Sequence, residues 1–239
     1  MIAAGIDEAG RGAVLGPLVL GGILCPNNKL HKLSNADSKA LTSKQRAKTQ
    51  ATLDSDDSIR TAVSSIDAFT LSARMHSGES LDSITCHSAQ RVAHQLANAS
   101  PNSSALSLVC DAIGSVALHH QTEYAIGSVL PLGSSVSIFS SADTSHSVCA
   151  TASVVAKTWR DAAIENLSQR IGTRIGSGYP SDKTTQAFLQ EVAAMHTPTT
   201  DSDRLALEIV RTSWKSAKRL GIAPSSKEDL SGIENPTSL

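Results

Sequence analysis

Aromatic side chains are scarce in this chain: three phenylalanines, two tryptophans and two tyrosines among 239 residues. Its core must therefore be built from Val, Ile, Leu and Ala. An excess of either charge is also missing. Twenty-one basic and twenty-two acidic side chains leave a net charge of −1. No global positive field marks a polyanionic partner, so any such role has to come from local basic patches. The four cysteines, Cys25, Cys86, Cys110 and Cys149, include no CxxC pair, which points to reduced, mostly buried thiols in a cytosolic or nuclear protein. The eight histidines form no metal-ligand set, since His87 and His94 have no third partner and His119 and His120 fall in an expected loop. Serine is so abundant that a Ser/His/Asp pairing carries no information. The longest apolar run, Val14 to Cys25, is broken by Gly16, Pro17, Gly21 and Gly22 and is too short to cross a bilayer. With a strand beginning at once and no leader pattern, a soluble cytoplasmic protein is expected, or a nuclear one if eukaryotic.

What is present reads as an α/β protein. The segments 2–7, 13–24 and 59–66 have strand character, and their order predicts an antiparallel meander. A helix capped by Thr42 or Ser43 is expected to run to Leu53. Helical spacing of Leu81, Ile84, Ala89, Val92, Ala93 and Leu96 predicts a helix over 80–99, followed by strands at 105–111 and 135–140. Helices are expected over 147–171, 184–196 and 202–221. The sum is a five-stranded mixed sheet flanked by helices. Residues 1–198 are read as one domain, 199–222 as a helical extension packed on it, and 223–239 as a disordered tail.

The first strand runs into two adjacent acids, Asp7 and Glu8, in "GIDEAGRGAVLGPLV". Neighbouring strand residues point to opposite faces, so a shared site requires a departure from the pleat, for which Gly5, Gly10 and Gly12 provide freedom. A second strand ends in Asp111, and Asp143 follows a third. Acids at the ends of strands about 5 Å apart converge on one place. Clustered carboxylates raise one another's pKa unless a cation neutralises them, and an all-oxygen ligand set suits Mg²⁺ or Mn²⁺. A pair of such ions about 4 Å apart activates water and stabilises the leaving oxygen of a phosphodiester. Gly10, Gly12 and Gly16 loosely suggest a dinucleotide fingerprint, but strand-like residues with Gly-Pro follow them where that motif needs a helix.

These segments together resemble the type 2 ribonucleases H, the family of RNase HII and the eukaryotic RNase H2 catalytic subunit. The likeness runs from "GIDEAGRGAVLGPLV" through "DSKALTSKQR", "VCDAIG", "ADTSHSVCATASVVAKTWRDAAI", "GSGYPSDKT" and "VRTSWKSAKRL" to about Leu220. It implies an RNase H-like fold and cleavage of RNA in RNA–DNA hybrids and on the 5′ side of ribonucleotides embedded in duplex DNA. The implied products are a 3′-hydroxyl and a 5′-phosphate, with implied roles in replication and ribonucleotide excision repair. It also implies that Asp7, Glu8, Asp111 and Asp143 carry two Mg²⁺ or Mn²⁺ ions. Gly10, Arg11 and Gly12 would read the ribose 2′-hydroxyl, largely through backbone groups, and Tyr179 would pack on the sugar. Lys39, Lys157 and Arg160 would hold phosphates. Ala13, Ser145 and His146, and the absence of a proline in "PSDKT", depart from the family pattern; the second of these touches phosphate contacts near Asp143.

By helical geometry Val148, Ala152, Val155, Trp159 and Ala163 share one face of the 147–171 helix, with Ser153, Lys157 and Arg160 opposite. Lys157 and Asp161 could form an i,i+4 pair. Lys215, Lys218 and Arg219 form a further basic cluster, with Trp214 expected to anchor it in the core. The compact length favours a monomer acting alone on nucleic acid and away from membranes. The alternative is a catalytic subunit that needs accessory proteins, as eukaryotic catalytic subunits do. No adenine pocket or phosphate loop supports a kinase-like reading, and no Gln-x-x-Leu-x-x-Phe-Phe motif closes the chain.

Overall fold

The computed structural model describes residues 2–33, 41–114, 116–195 and 197–223. Lys39 and nearly all of the expected tail lie outside the described residues. In chain order the elements are β1 (Ile2–Ala9), β2 (Leu18–Pro26), α1 (Ser43–Asp54), β3 (Arg60–Ile66), α2 (Ala68–His76) and α3 (Leu81–Asn98). They continue with β4 (Leu106–Asp111), α4 (His119–Gly127), β5 (Ser135–Phe139), α5 (Ala142–Ser145), α6 (Ser147–Ile171), α7 (Lys183–Ala194), α8 (Asp201–Glu208) and α9 (Lys215–Arg219).

The five strands form one sheet in the order β3-β2-β1-β4-β5. β1 pairs antiparallel with β2 and parallel with β4, β2 pairs antiparallel with β3, and β4 pairs parallel with β5. The meander is therefore present, with α1 in its second connection. Alternation along the strands builds two cores. Ala4, Ile6, Leu20, Leu106 and Leu108 face Ile84, Val92 and Leu96 of α3. Ala3, Ile23 and Cys25 face Val148, Ala152 and Val155 of α6. Cys25, Cys110 and Cys149 are buried and Cys86 is partly buried.

Helix α6 lies directly on the strands because glycine removes the side chains that would hold it off. A Cβ on Gly5 would come within 2.4 Å of the Val148 carbonyl carbon and oxygen, and one on Gly21 within 2.5 Å of the Ala156 backbone nitrogen. Residues 148–156 of α6 are buried on every side, which explains their small and β-branched composition. Gly5 thus serves this close approach within a regular strand, not a departure from the pleat.

Two expectations are corrected. The second strand starts at Leu18 rather than at 13, because Gly10 and Gly16 have φ of +84° and +72° and break extended structure. The helix expected over 202–221 divides into α8 and α9. Residues between them spend their backbone groups on the loop after β1: Gly16 N–H donates to the Ile209 carbonyl and Arg211 N–H to the Val14 carbonyl, both at 2.8 Å. Trp159 is half exposed, and Ile164 instead makes the core contact of that helix with Val14, Leu15 and Phe188. Trp214 packs against the α3-side core and against the cluster that holds Val14, Leu15 and Ile164, as expected.

Gly21→Ala should lower stability by about 1–3 kcal/mol through overpacking. In a domain of this size that is a fall of roughly 2–4 °C in Tm per kcal/mol. Gly12→Ala, whose Cβ would meet nothing within 4 Å, should leave Tm unchanged. Thermal melts of the two variants check the contrast; an unshifted Tm for Gly21→Ala would contradict the contact.

Candidate active site

Asp7 stands opposite Gly21 and Glu8 opposite Leu20 in unbroken antiparallel register. No bulge brings the two acids together. β1 instead runs past the last β1–β4 pair, Ile6 with Cys110, and both side chains reach a depression of about 240 Å³ there. By strand parity Asp7 comes from the α6 side and Glu8 from the α3 side. Asp7 is buried and accepts the Glu8 N–H at 2.7 Å. Burial pushes its carboxyl from 3.8 up to about 7; the Ser153 hydroxyl and Glu8 amide oppose the rise, and Asp111 and Asp143 add to it. Burial also raises Glu8, against the pull of the Arg11 guanidinium.

Asp111 closes β4 and accepts the Ala142 N–H at 2.7 Å, which ties the end of that strand to α5. Asp143 sits buried in the first turn of α5. Both line the same depression as Asp7 and Glu8. Beyond Asp143, Phe139 and His146 stack with centroids 4.8 Å apart, and the Ser145 Oγ meets His146 Nδ1 at 2.9 Å. The two departures from the family pattern therefore form a local packing unit.

Gly10, Arg11, Gly12, Lys157 and Tyr179 complete the lining. The Arg11 side chain turns to α3, donating to Thr85 Oγ1 at 3.0 Å and pairing with Asp82, so the segment faces the depression mainly with its backbone. Lys157 is half-buried and lines both this depression and an adjoining hollow. Its expected i,i+4 partner Asp161 is held by Arg46 Nη2 at 2.5 Å. Arg160, expected at a phosphate, lines the hollow that adjoins the depression. It is buried beneath Tyr179, with its guanidinium carbon 4.8 Å from the ring centroid, and it donates to the carbonyls of Ser177 and Leu15. In that position it supports the tyrosine from below. Lys215, Lys218 and Arg219 are exposed on α9.

Sequence reasoning missed two residues. Ser153 lay on the expected polar face of α6, but its bond to Asp7 could be found only by placing that helix on the sheet. Arg211 is fully buried; its Nε donates to the Gly16 carbonyl at 2.9 Å and its Nη1 to the Gly10 carbonyl at 2.7 Å. Burial lowers its pKa to about 9. An arginine inside "IVRTSW", between residues of apolar character, was the available signal.

The donor chemistry around the depression fits a hard divalent cation: four carboxylates, no thiolate and no imidazole in the lining. Among the described residues no three such side chains are yet gathered as a metal-binding group. Asp7, Glu8 and Asp111 are each engaged by a local donor through one oxygen, which leaves each carboxylate further lone pairs for a cation.

The family model for ribonuclease HII matches residues 4–217. The ribonuclease HII of Sulfurisphaera tokodaii is 30% identical over 229 residues, covering 94% of this chain and 97% of that protein. Among solved structures, the ribonuclease H2 of Pyrococcus horikoshii superposes with a TM-score of 0.71 at 28% identity, covering 92% of this chain and 97% of that one. A PCNA:RNase HII complex from Archaeoglobus fulgidus gives 0.73 at 28% identity, covering 90% and 96%. The RNase H-like fold and its helical C-terminal part are shared with these structures.

A pH dependence follows from Asp7. In the unfolded chain it ionises near 3.8, and in the folded, metal-free protein near 7. The folded state therefore holds the extra proton between these values, and stability falls as pH rises through that window, by on the order of a few kcal/mol. Asp7→Asn should flatten this fall and raise Tm near pH 7.5. Melts in EDTA from pH 4 to 8 check it, and parallel profiles for the two proteins would contradict the burial effect.

Proposed function

The chain belongs to the ribonuclease HII family, a family of metal-dependent endonucleases, and from this premise we propose that it hydrolyses RNA in RNA–DNA hybrids and nicks duplex DNA on the 5′ side of an embedded ribonucleotide. The nick leaves a 3′-hydroxyl and a 5′-phosphate. The observation that carries this reading is a single depression lined by Asp7, Glu8, Asp111 and Asp143 together with Gly10 to Gly12, Lys157 and Tyr179. Carboxylates for metal ions, a backbone able to touch a sugar, a cation for phosphate and an aromatic ring for the ribose meet there.

In this reading Asp7, Glu8, Asp111 and Asp143 hold two Mg²⁺ or Mn²⁺ ions. When bound, such ions supply water activation and stabilisation of the phosphate and leaving oxygen. The chain's own residues position the substrate. Gly12 has open space where a Cβ would stand, so a ribose can lie directly against its backbone, and the 2′-hydroxyl separates RNA from DNA at that nucleotide. Tyr179, braced from below by Arg160, offers a ring face to the sugar. Lys157, at the edge of the acids, contacts a backbone phosphate; such contacts fix register without reading sequence. No protein nucleophile is needed.

The test uses a labelled DNA duplex with one ribonucleotide, beside an all-DNA duplex, incubated with Mg²⁺, with Mn²⁺ and with EDTA. The expected result is a metal-dependent nick 5′ to the ribonucleotide and none in the all-DNA duplex. No cleavage by folded protein with either metal would contradict a self-sufficient enzyme and favour one that needs accessory subunits.

A further inference from the structure

The loop after β1 that carries Gly10, Arg11 and Gly12 is held on one side by the Arg11 side chain, through Glu8, Thr85 and Asp82, and its main chain is held separately. Its turn is closed by the Ala13 N–H donating to the Gly10 carbonyl at 3.2 Å. From behind, Arg211 donates to three of its carbonyls: Gly10 at 2.7 Å, Gly16 at 2.9 Å and Arg11 at 3.3 Å. Arg211 is fully buried, and the bonds shown for it go to main-chain oxygens rather than to a carboxylate. Its guanidinium lies 4.8 Å from the Trp214 ring centroid. A bridge between Leu15 and Val210 and the Arg211 N–H bond to the Val14 carbonyl fix its backbone to the same loop. Burying an arginine is costly unless its donors are satisfied, and only a planar fork could span three carbonyls in this way.

We infer that Arg211 is a positioning residue for ribose recognition. Peptides in this chain are trans throughout the described residues, and in a trans peptide the carbonyl and the following N–H point in opposite directions. Drawing the Gly10 and Arg11 carbonyls inward onto Arg211 therefore turns the N–H groups of Arg11 and Gly12 outward, to the side where these residues line the depression. Those amides are the donors that a 2′-hydroxyl would meet. Arg211 thus sets the discrimination between ribose and deoxyribose without touching substrate. A lysine at this position would reach one carbonyl and leave the others unheld.

This inference rests on the proposed ribonucleotide-directed activity, and the test separates the two. Affinities are measured for a duplex with one ribonucleotide and for the all-DNA duplex of the same sequence, with Ca²⁺ replacing the catalytic metal. Wild type should prefer the ribonucleotide duplex. Arg211→Lys, shown to be folded by circular dichroism, should narrow that preference by about tenfold, the worth of one hydrogen bond. Its affinity for all-DNA duplex should stay within about twofold, because phosphate contacts are untouched. A purely structural defect would weaken both duplexes alike. An unchanged preference in the variant would overturn the inference alone, and no preference in wild type would overturn it together with the proposed activity. If Arg211→Lys does not fold, the amide signals of the wild-type protein decide: those of Arg11 and Gly12 should move on binding the ribonucleotide duplex in Ca²⁺ and not on binding the all-DNA duplex, and equal movement with both duplexes overturns the inference.

Discussion

The contact on which the rest of the structure depends is the approach of α6 to the sheet at Gly5 and Gly21. There the helix backbone occupies the space a single methyl group would fill. Bringing α6 this close puts Ser153 against Asp7, Lys157 at the rim of the acidic depression and Arg160 under the Tyr179 loop. Gly21 is also the cross-strand partner of Asp7, so the residue that admits the helix lies beside the acid the helix buries. Larger side chains at either glycine would separate the two halves of the site by a few tenths of an ångström or more, at an overpacking cost.

A second feature is how the buried charges are distributed. Two arginines lie under the functional loops, and both spend their donors chiefly on carbonyls: Arg160 on Leu15 and Ser177, Arg211 on Gly10, Arg11 and Gly16. Among the acids lining the depression, Glu8 pairs with Arg11 at 3.4 Å. Asp111 and Asp143 both push the Asp7 carboxyl upward. Had the buried guanidiniums faced these carboxylates, the acids would have been neutralised within the protein and a divalent cation would gain less by binding. Pairing the arginines with backbone keeps the acidic end available and makes the loops stiff.

The antiparallel meander of the first three strands, the bounds of α1, α3 and α6 and the acids at the strand ends were legible in the sequence because each follows from local periodicity, from element order or from one residue's place on a strand. Thr42 and Ser80 cap their helices as their side-chain chemistry predicts. What could not be read depended on contacts distant in the chain. The helix expected over 202–221 fails because its middle bonds the loop at 14–16, nearly two hundred residues earlier. Arg160 has the spacing of a surface cation on an amphipathic helix, but the 177–179 turn covers it. Asp7 and Glu8 meet at one depression without any backbone irregularity, because β1 outruns β4. Strand ends, unlike strand interiors, are set by the neighbour's length.

The central claim is that the four carboxylates at this end of the sheet carry the chemistry. The most direct measurement is the single-turnover cleavage rate of Asp7→Asn, at saturating Mn²⁺, on a duplex with one ribonucleotide, with Tm recorded separately in EDTA. Replacing one carboxylate oxygen by an amide keeps the shape and removes the charge that would hold a cation. The account predicts a rate lower by about a thousandfold or more, in the range of losing a principal electrostatic contribution to the transition state, with Tm at neutral pH no lower than wild type. A variant that is folded and cleaves within about tenfold of wild type would contradict it.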